Sequence, residues 1–237
     1  MRRTKDFRLL VLMFIVSGCA HVTAAQSPAT TKPAPLPPMR ADTTALRHTL
    51  DSIADAHHGV VGYSVIDLDN DVRLSRRGDE TFPTASLIKL AILVTVYDLA
   101  SKGDLSLDDP LTLLKIDQVP GSGVAQYLHN GTILTVRDAV WLMITLSDNT
   151  TTNLLLDRII IRRVWDKMEA LGLQHTKVHS KTFRRNSSVA MDSSIKYGFG
   201  VTTPNEMAKL VELLARGKAV SPKADSEMLE IMELKNL

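Results

Sequence analysis

Ser86 and Lys89 stand three residues apart at the start of a long apolar segment, and together these residue types could perform acyl transfer. A serine hydroxyl is a weak nucleophile until a neighbouring base takes its proton. A lysine buried among apolar side chains has a depressed pKa, and its neutral amine is such a base. The spacing alone does not decide the matter. Ser193 and Lys196 repeat it in a stretch without the apolar periodicity of a helix.

A second motif, Ser147-Asp148-Asn149, lies between two segments with helical apolar patterns. The helix before it starts with a capping box formed by Thr135 and Asp138, and the helix after it runs through Leu154-Leu155-Leu156. By itself the tripeptide also suits an ordinary turn between two helices. Its pairing with the first motif, each at a helix boundary, favours a catalytic interpretation.

In this order the two motifs resemble those of the serine β-lactamase and penicillin-binding protein superfamily, and within it the class A β-lactamases. The resemblance extends over nearly everything from residue 42 to the C-terminus, including Phe82-Pro83 and Thr202-Thr203-Pro204. It implies an α/β (α+β) fold of two lobes, one all-helical and one with helices packed on an antiparallel sheet. It also selects Ser86 over Ser193 as the nucleophile.

The resemblance implies a role for each matched residue. Ser86 resembles the acylated serine, Lys89 its proton acceptor, and Ser147 the hydroxyl that passes a proton to the leaving nitrogen. Asn149 resembles the amide that binds the side-chain carbonyl of the substrate, whereas Asp148 looks structural. The implied substrate is a small molecule, a β-lactam or a cell-wall peptide, that acylates a monomeric enzyme without any cofactor or metal.

One departure from the class A pattern concerns deacylation. Class A enzymes carry a Glu-x-x-Leu-Asn segment whose Glu activates the deacylating water, but here Thr182 replaces that Glu, and Asn186 matches the Asn as a substrate-binding candidate. Slow deacylation would make the chain a penicillin-binding or D,D-peptidase-like protein. Activation of water by Lys89 would instead give a weak β-lactamase. A non-turning-over envelope sensor or relic is the remaining alternative.

The elements that must position these residues begin near Asp42, a plausible N-cap of a first helix. Two strands, Val60 to Asp67 and Val72 to Arg76, are predicted to form a hairpin through the turn Asp69-Asn70-Asp71. The apolar helix that carries the serine and the lysine is predicted from Leu87 to Ala100. The first helix has one apolar face, formed by Leu46, Leu50, Ile53 and Ala54.

A second departure is the absence of the family's third motif, Lys-Thr-Gly, on a strand facing the serine. Lys181-Thr182-Phe183 lacks its glycine, and the chain ends in a helix predicted from Ser221-Pro222. We therefore expect a fragment in which the C-terminal strands are missing and the hairpin, with an unpaired edge, is the only sheet. Loss of half the oxyanion hole would cost about two orders of magnitude in rate.

Two groups of potential metal ligands have simpler explanations. The carboxylates of residues 67–71 alternate as in an EF-hand loop, but Val72 stands where that loop needs glycine and Gly78 where it needs glutamate. His175 and His179 are four residues apart, yet they follow a helix-stop signal and lack a third ligand nearby. We interpret them as surface or loop histidines and predict no metal site.

Composition and the N-terminal residues bear on partners and location. Lys and Arg number 28 against 26 Asp and Glu, too balanced for a nucleic-acid-binding protein, and 44% hydrophobic residues suffice for a globular core. Basic residues precede an apolar run from Leu9 to Val16, which is typical of a signal peptide and too short to span a bilayer.

The signal peptide is predicted to end at Val16-Ser17-Gly18-Cys19, which resembles a lipobox whose Cys19 becomes lipid-anchored. Ordinary cleavage near Ala25 is the alternative. The chain is then periplasmic or secreted, or anchored to the outer membrane through Cys19. The predicted organisation is a signal peptide (1–18), a Pro/Ala/Thr-rich tether (19–41) and a catalytic domain (42–237), with 42–84 and 203–237 in the α/β lobe and 85–202 in the helical lobe.

Overall fold

The computed structural model describes residues 43–233. The predicted signal peptide, Cys19, the tether and Asp42 lie outside these residues, as does the segment 234–237. The described part contains eight α-helices and seven short strands, all paired antiparallel. None of the helices in this part is long and apolar enough to cross a membrane.

The first helix and the hairpin form as predicted, with shorter strands. Helix α1 spans Thr44–Ala56, and its N-cap position is taken by Thr43 rather than by the predicted Asp42. Strands β1 (Tyr63–Ile66) and β2 (Arg73–Arg76) pair antiparallel. The acidic turn between them closes on Asp67, whose carboxylate accepts hydrogen bonds from the backbone N–H groups of residues 69 and 70. This carboxylate therefore completes a turn, as side chains of this type commonly do.

The apolar face predicted for α1 is buried only in part. Ala54 is buried and Leu50 half-buried, but Leu46 and Ile53 are 46% and 65% exposed. The helix borders an open, largely apolar cavity of about 550 Å³. A larger cavity of about 680 Å³ lies beside the hairpin. Both leave apolar surface uncovered on this part of the described chain.

The segment predicted as one long α-helix begins as a 3₁₀ helix and continues as an α-helix. A 3₁₀ turn, Ala85–Ile88, comes first and is followed by helix α2, Lys89–Ser101. Residues 91 to 99 of α2 are all buried, so the helix is apolar around its whole circumference and passes through the core. Gly103 follows with φ +78°, the left-handed conformation that commonly ends a helix.

The other helices surround α2 or lie beside the small sheets. The predicted capping box opens α3, because Thr135 Oγ1 accepts from Asp138 N at 3.0 Å while the Asp138 carboxylate accepts from Thr135 N at 2.9 Å. The remaining helices span α3 Val136–Thr145, α4 Asn149–Ile159, α5 Ile161–Ala170, α6 Met191–Tyr197, α7 Pro204–Ala215 and α8 Pro222–Glu233.

The prediction that the hairpin is the only sheet is wrong. Strand β4 (Pro110–Leu113) pairs with β5 (Thr132–Thr135), and a three-stranded sheet has the order β3-β7-β6. These strands have only two to four residues each, too few to show a clear period of two in the sequence. The three-stranded sheet consists of β3 Phe82–Pro83, β6 Lys177–Val178 and β7 Gly200–Thr202.

Candidate active site

Ser86 is exposed on the 3₁₀ turn that leads into α2, rather than in the first turn of an α-helix as predicted. Side chains three residues apart eclipse one another in a 3₁₀ helix, so Ser86 and Lys89 lie on the same face of the chain. The preceding backbone is fixed by Thr84 N, which donates to Gly200 O at 3.1 Å. Ala85 has φ +43°, a strained conformation of the kind that clusters at functional sites.

Ser147 meets Ser86 although 61 positions separate them in the sequence. It follows α3 in the left-handed conformation, with φ +52°. Its hydroxyl donates a hydrogen bond of 2.9 Å to Ser86 Oγ. The two predicted hydroxyl groups therefore form a pair at the surface of the helical core.

Lys89 is buried against this pair and is only 3% exposed. Its Nζ donates to the backbone oxygen of Ser147 at 2.6 Å, to Ser147 Oγ at 3.0 Å and to Asn149 Oδ1 at 3.0 Å. Burial lowers the pKa of Lys89 to about 8, and the negative charge of Asp148 opposes this effect. The amine is thus neutral in about a tenth of the molecules at pH 7, far more than for a free lysine.

Asp148 holds the backbone around the site and makes no hydrogen bond to Lys89. It is buried at the N-cap of α4, where its carboxylate accepts from Thr151 N at 2.9 Å and from Ala125 N at 2.8 Å. Gly123 lies against this carboxylate with φ +101°, and a β-carbon there would collide with it. Asp148 therefore joins α4 to the loop 119–127.

Asn149 is the first residue of α4 and connects Lys89 to the same loop. Its backbone N donates to Ser122 O at 3.1 Å and its side-chain Nδ2 donates to Pro120 O at 3.2 Å. Its Oδ1 is the acceptor for Lys89. The structure thus brings four of the five predicted site residues, Ser86, Lys89, Ser147 and Asn149, into one connected group.

Asn186 is the fifth, and the structure does not bring it to this group. It is exposed in the 3₁₀ turn Arg185–Ser187 and has no hydrogen bond to any of the other four residues. Thr182 lies nearby in sequence, and its Oγ1 is buried without a hydrogen-bond partner. The sequence from residue 170 to 191 contains no carboxylate that could replace the expected Glu.

A set of residues that sequence reasoning missed lies along α4. Asn153 is buried and forms two hydrogen bonds with the backbone of Thr182. Its Oδ1 accepts from the Thr182 N–H at 2.8 Å, and its Nδ2 donates to the Thr182 carbonyl oxygen at 3.1 Å. Asp157 forms an ion pair with Lys181. Asn149, Asn153 and Asp157 recur every fourth residue, the spacing of one helix face, and this polar repeat is the signal that could have revealed them.

A cavity of about 320 Å³ opens beside the reactive groups. Ser86, Lys89 and Ser147 contribute its polar part, and the remaining lining is apolar. A concave, mostly apolar space with a few convergent polar groups is the usual form of a small-molecule site. Its apolar lining residues are Leu87, Leu90, Met143, Ile144 and Met232.

The alternative serine and histidine candidates have other environments. Ser193 and Lys196 lie on the short helix α6, although the sequence shows no helical periodicity there. Lys196 is at the surface, with its amine over the Tyr197 ring.

His175 is exposed and pairs with a glutamate. His179 lies in a loop, in keeping with the interpretation as a surface or loop histidine, but it is buried, and burial lowers its pKa. Between residues 43 and 233, no group of three or more His, Cys, Asp or Glu residues is placed to hold a metal ion.

Comparisons with known proteins place the chain in a family. A model of the β-lactamase enzyme family matches residues 45–237. The chain is 26% identical to β-lactamase AER-1 of Aeromonas hydrophila over 199 residues, which cover 84% of this chain and 64% of that protein. It is 33% identical to β-lactamase BRO-1 of Moraxella catarrhalis over 100 residues, 42% of this chain and 32% of that protein. The chain thus spans less than two thirds of the length of these relatives.

Solved structures show the same fold. A β-lactamase from Sphaerobacter thermophilus superposes with a TM-score of 0.70 at 30% identity, covering 80% of this chain and 68% of that one. PBP-A superposes equally well at 26% identity, covering 82% and 70%, and a point mutant of PBP-A has been solved as an acyl-enzyme complex with penicillin-G. The predicted class A β-lactamase-like α/β fold is confirmed.

Proposed function

Because the chain belongs to the β-lactamase enzyme family, we propose that it is a serine hydrolase that reacts with β-lactams through an acyl-enzyme on Ser86. The observation that carries this proposal is the hydrogen-bonded group of Ser86, Ser147 and the buried Lys89. An exposed hydroxyl, a second hydroxyl and a desolvated amine are the parts that nucleophilic catalysis requires. The apolar cavity beside them provides space for a small substrate.

Acylation follows from the two hydrogen bonds. When Lys89 is neutral, rotation of the two hydroxyls reverses both hydrogen bonds, so that Ser86 donates to Ser147 and Ser147 to Lys89 over the same distances of 2.9 and 3.0 Å. The proton of Ser86 then passes to Ser147 Oγ while the Ser147 proton passes to Lys89 Nζ. Ser86 Oγ forms a bond to the lactam carbonyl carbon, and the backbone N–H of Ser86 donates to the developing oxyanion. When the C–N bond breaks, the same groups return a proton to the nitrogen, which leaves an ester on Ser86.

Deacylation has a weaker chemical basis in this chain. The position that should supply the water-activating carboxylate is Thr182, whose backbone is held by Asn153. Lys89 is the remaining base near the ester. We propose that the acyl-enzyme forms readily and hydrolyses slowly. This favours a penicillin-binding or D,D-peptidase-like activity as the second candidate function.

Pre-steady-state kinetics with nitrocefin test both parts of this proposal. We expect a burst of about one product per enzyme, followed by a much slower steady rate, because only deacylation is impaired. Ser86→Ala should abolish the burst. Ser193→Ala is the matched control, since it removes the serine of the other Ser-x-x-Lys, and it should keep the burst. A burst that survives in Ser86→Ala, or one that disappears in a folded Ser193→Ala, would contradict the proposal.

We also propose export, on the basis of the basic and apolar residues that precede Cys19. If the lipobox is used, growth with labelled palmitate should label the full-length chain and leave a Cys19→Ser variant unlabelled. Absence of label from both proteins, with a mature N-terminus near Ala25, would instead indicate ordinary cleavage and a soluble periplasmic or secreted protein. We propose that the protein acts as a monomer in either case.

A further inference from the structure

One wall of the cavity beside Ser86 comes from helix α8, which carries neither catalytic motif. This helix packs against α2 and α3, and its Met228 and Ile231 are buried in the core. Met232 follows them, packs against the same core and lines the cavity. The thioether of Met232 is therefore held in the same cavity as the reactive hydroxyl.

Met232 is more open to solvent than the methionines around it. Met143 lines the same cavity but is fully buried. Met232 is only half-buried, so a small molecule that enters the cavity can reach it. Between residues 43 and 233 the chain has six methionines, of which four are buried, with exposed fractions of 0% to 6%: Met143, Met168, Met207 and Met228.

Met191 is exposed but lies elsewhere. It is 46% exposed on α6 and does not line the cavity. An oxidant in solution should reach both Met191 and Met232, but only Met232 shares a cavity with Ser86. Met191 is therefore a matched control for any effect of oxidation on the site.

The chemistry open to an accessible thioether is oxidation to the sulfoxide. A peroxide transfers one oxygen atom to the sulfur: an S–O bond forms, the O–O bond breaks, the sulfur loses two electrons and the peroxide is reduced to water. The thioether is apolar and flexible, whereas the sulfoxide is polar and chiral. In this cavity the sulfoxide would replace an apolar contact with a group that must lose water when a substrate binds.

We propose that Met232 is an oxidation site and that its sulfoxide slows acylation of Ser86. The effect on the rate rests on the proposed function, whereas the oxidation itself does not. The change is reversible, because dedicated reductases convert methionine sulfoxide back to methionine. The response is confined to one residue of the cavity, since Met143 is buried and the other apolar lining residues are leucine and isoleucine.

The test treats the full-length protein with graded hydrogen peroxide, removes the peroxide and measures two quantities. Peptide mapping by mass spectrometry gives the sulfoxide fraction at each methionine, and benzylpenicillin gives the second-order rate of acylation. We expect Met232 and Met191 to be oxidised well before Met143. The acylation rate should fall about tenfold when Met232 is fully oxidised, and reductases for both sulfoxide epimers should restore it.

Two variants assign the loss of rate to one residue. Each is compared with its own untreated rate, so a difference in starting activity does not enter the result. Met232→Leu, with an apolar side chain of similar size, should lose none of its rate after peroxide treatment. Met191→Leu should lose as much as the wild-type protein. Circular dichroism must show that both variants are folded.

The possible results separate the oxidation site from the underlying activity. An equal loss of rate in peroxide-treated Met232→Leu would overturn the proposal, because another residue would then be responsible. An unchanged rate in wild-type protein with fully oxidised Met232 would also overturn it, as would oxidation of Met143 before Met232. Failure of the untreated protein to be acylated would contradict the proposed function and the rate effect with it, and the peptide map would then still measure the oxidation of Met232.

Discussion

The pH dependence of acylation tests directly whether Lys89 is the base. With a pKa of about 8, the neutral amine makes up about 1% of molecules at pH 6, about 10% at pH 7 and half at pH 8. If only this form accepts the proton of Ser86, the acylation rate should rise about 50-fold from pH 6 to pH 8. Above pH 9 it should level off. The cause of the low pKa is burial of the amine.

The assay is the second-order rate of labelling by a fluorescent penicillin, quenched at short times and read on denaturing gels. Lys196→Met is the matched control because it removes the lysine of the second Ser-x-x-Lys at an exposed position. It should preserve the profile. Asp148→Asn should move the midpoint to lower pH, since the Asp148 charge raises the pKa of Lys89. Circular dichroism must show that this variant is folded.

A flat profile between pH 6 and pH 9, at a rate that Ser86→Ala abolishes, would refute the assignment of Lys89 as the base. A profile that falls as pH rises would also refute it, because protonated amine would then be the reactive form. A midpoint near pH 10 would show that the amine is as well solvated as a free lysine, contrary to its burial.

The structure supports three further predictions. The pKa of Lys89 is about 8 in the folded protein and 10.5 in the unfolded chain, so the unfolded chain binds more protons between these two pH values. The free energy of unfolding should therefore rise by about 3 kcal/mol from pH 8 to pH 10.5. Urea titrations should lose this rise in Lys89→Met, and its persistence would contradict the low pKa. Thr182→Glu should shorten the lifetime of the penicillin adduct about 100-fold by supplying a carboxylate base, and an unchanged lifetime would count against that reasoning. Asn153→Ala should cost about 2 kcal/mol, because it leaves the Thr182 N–H and C=O without partners, and urea unfolding would measure this loss.

Local signals in the sequence sufficed for the helices around the site. The capping pair Thr135 and Asp138, the apolar run of α2 and the polar start of α4 each depend on contacts within a few residues. Such signals are readable because they repeat with the helical period. The grouping of Ser86, Lys89, Ser147 and Asn149 could be predicted only by resemblance, since their contacts span about 60 positions.

Features that depend on distant contacts could not be predicted. The short strands β3, β6 and β7 contain two or three residues, and their pairing is set by tertiary packing. Burial of His179 and exposure of Asn186 depend in the same way on which loop covers them. The placement of Phe183 against Gly121 joins residues 62 positions apart, and neither residue alone suggests it.

Formation of an acyl-enzyme on Ser86 can be measured by mass spectrometry of the full chain after incubation with benzylpenicillin. We expect a mass increase of one penicillin, located on the peptide that contains Ser86, persisting long after mixing and absent from Ser86→Ala. An adduct on another serine, such as Ser193, or no adduct on a folded wild-type protein would contradict it.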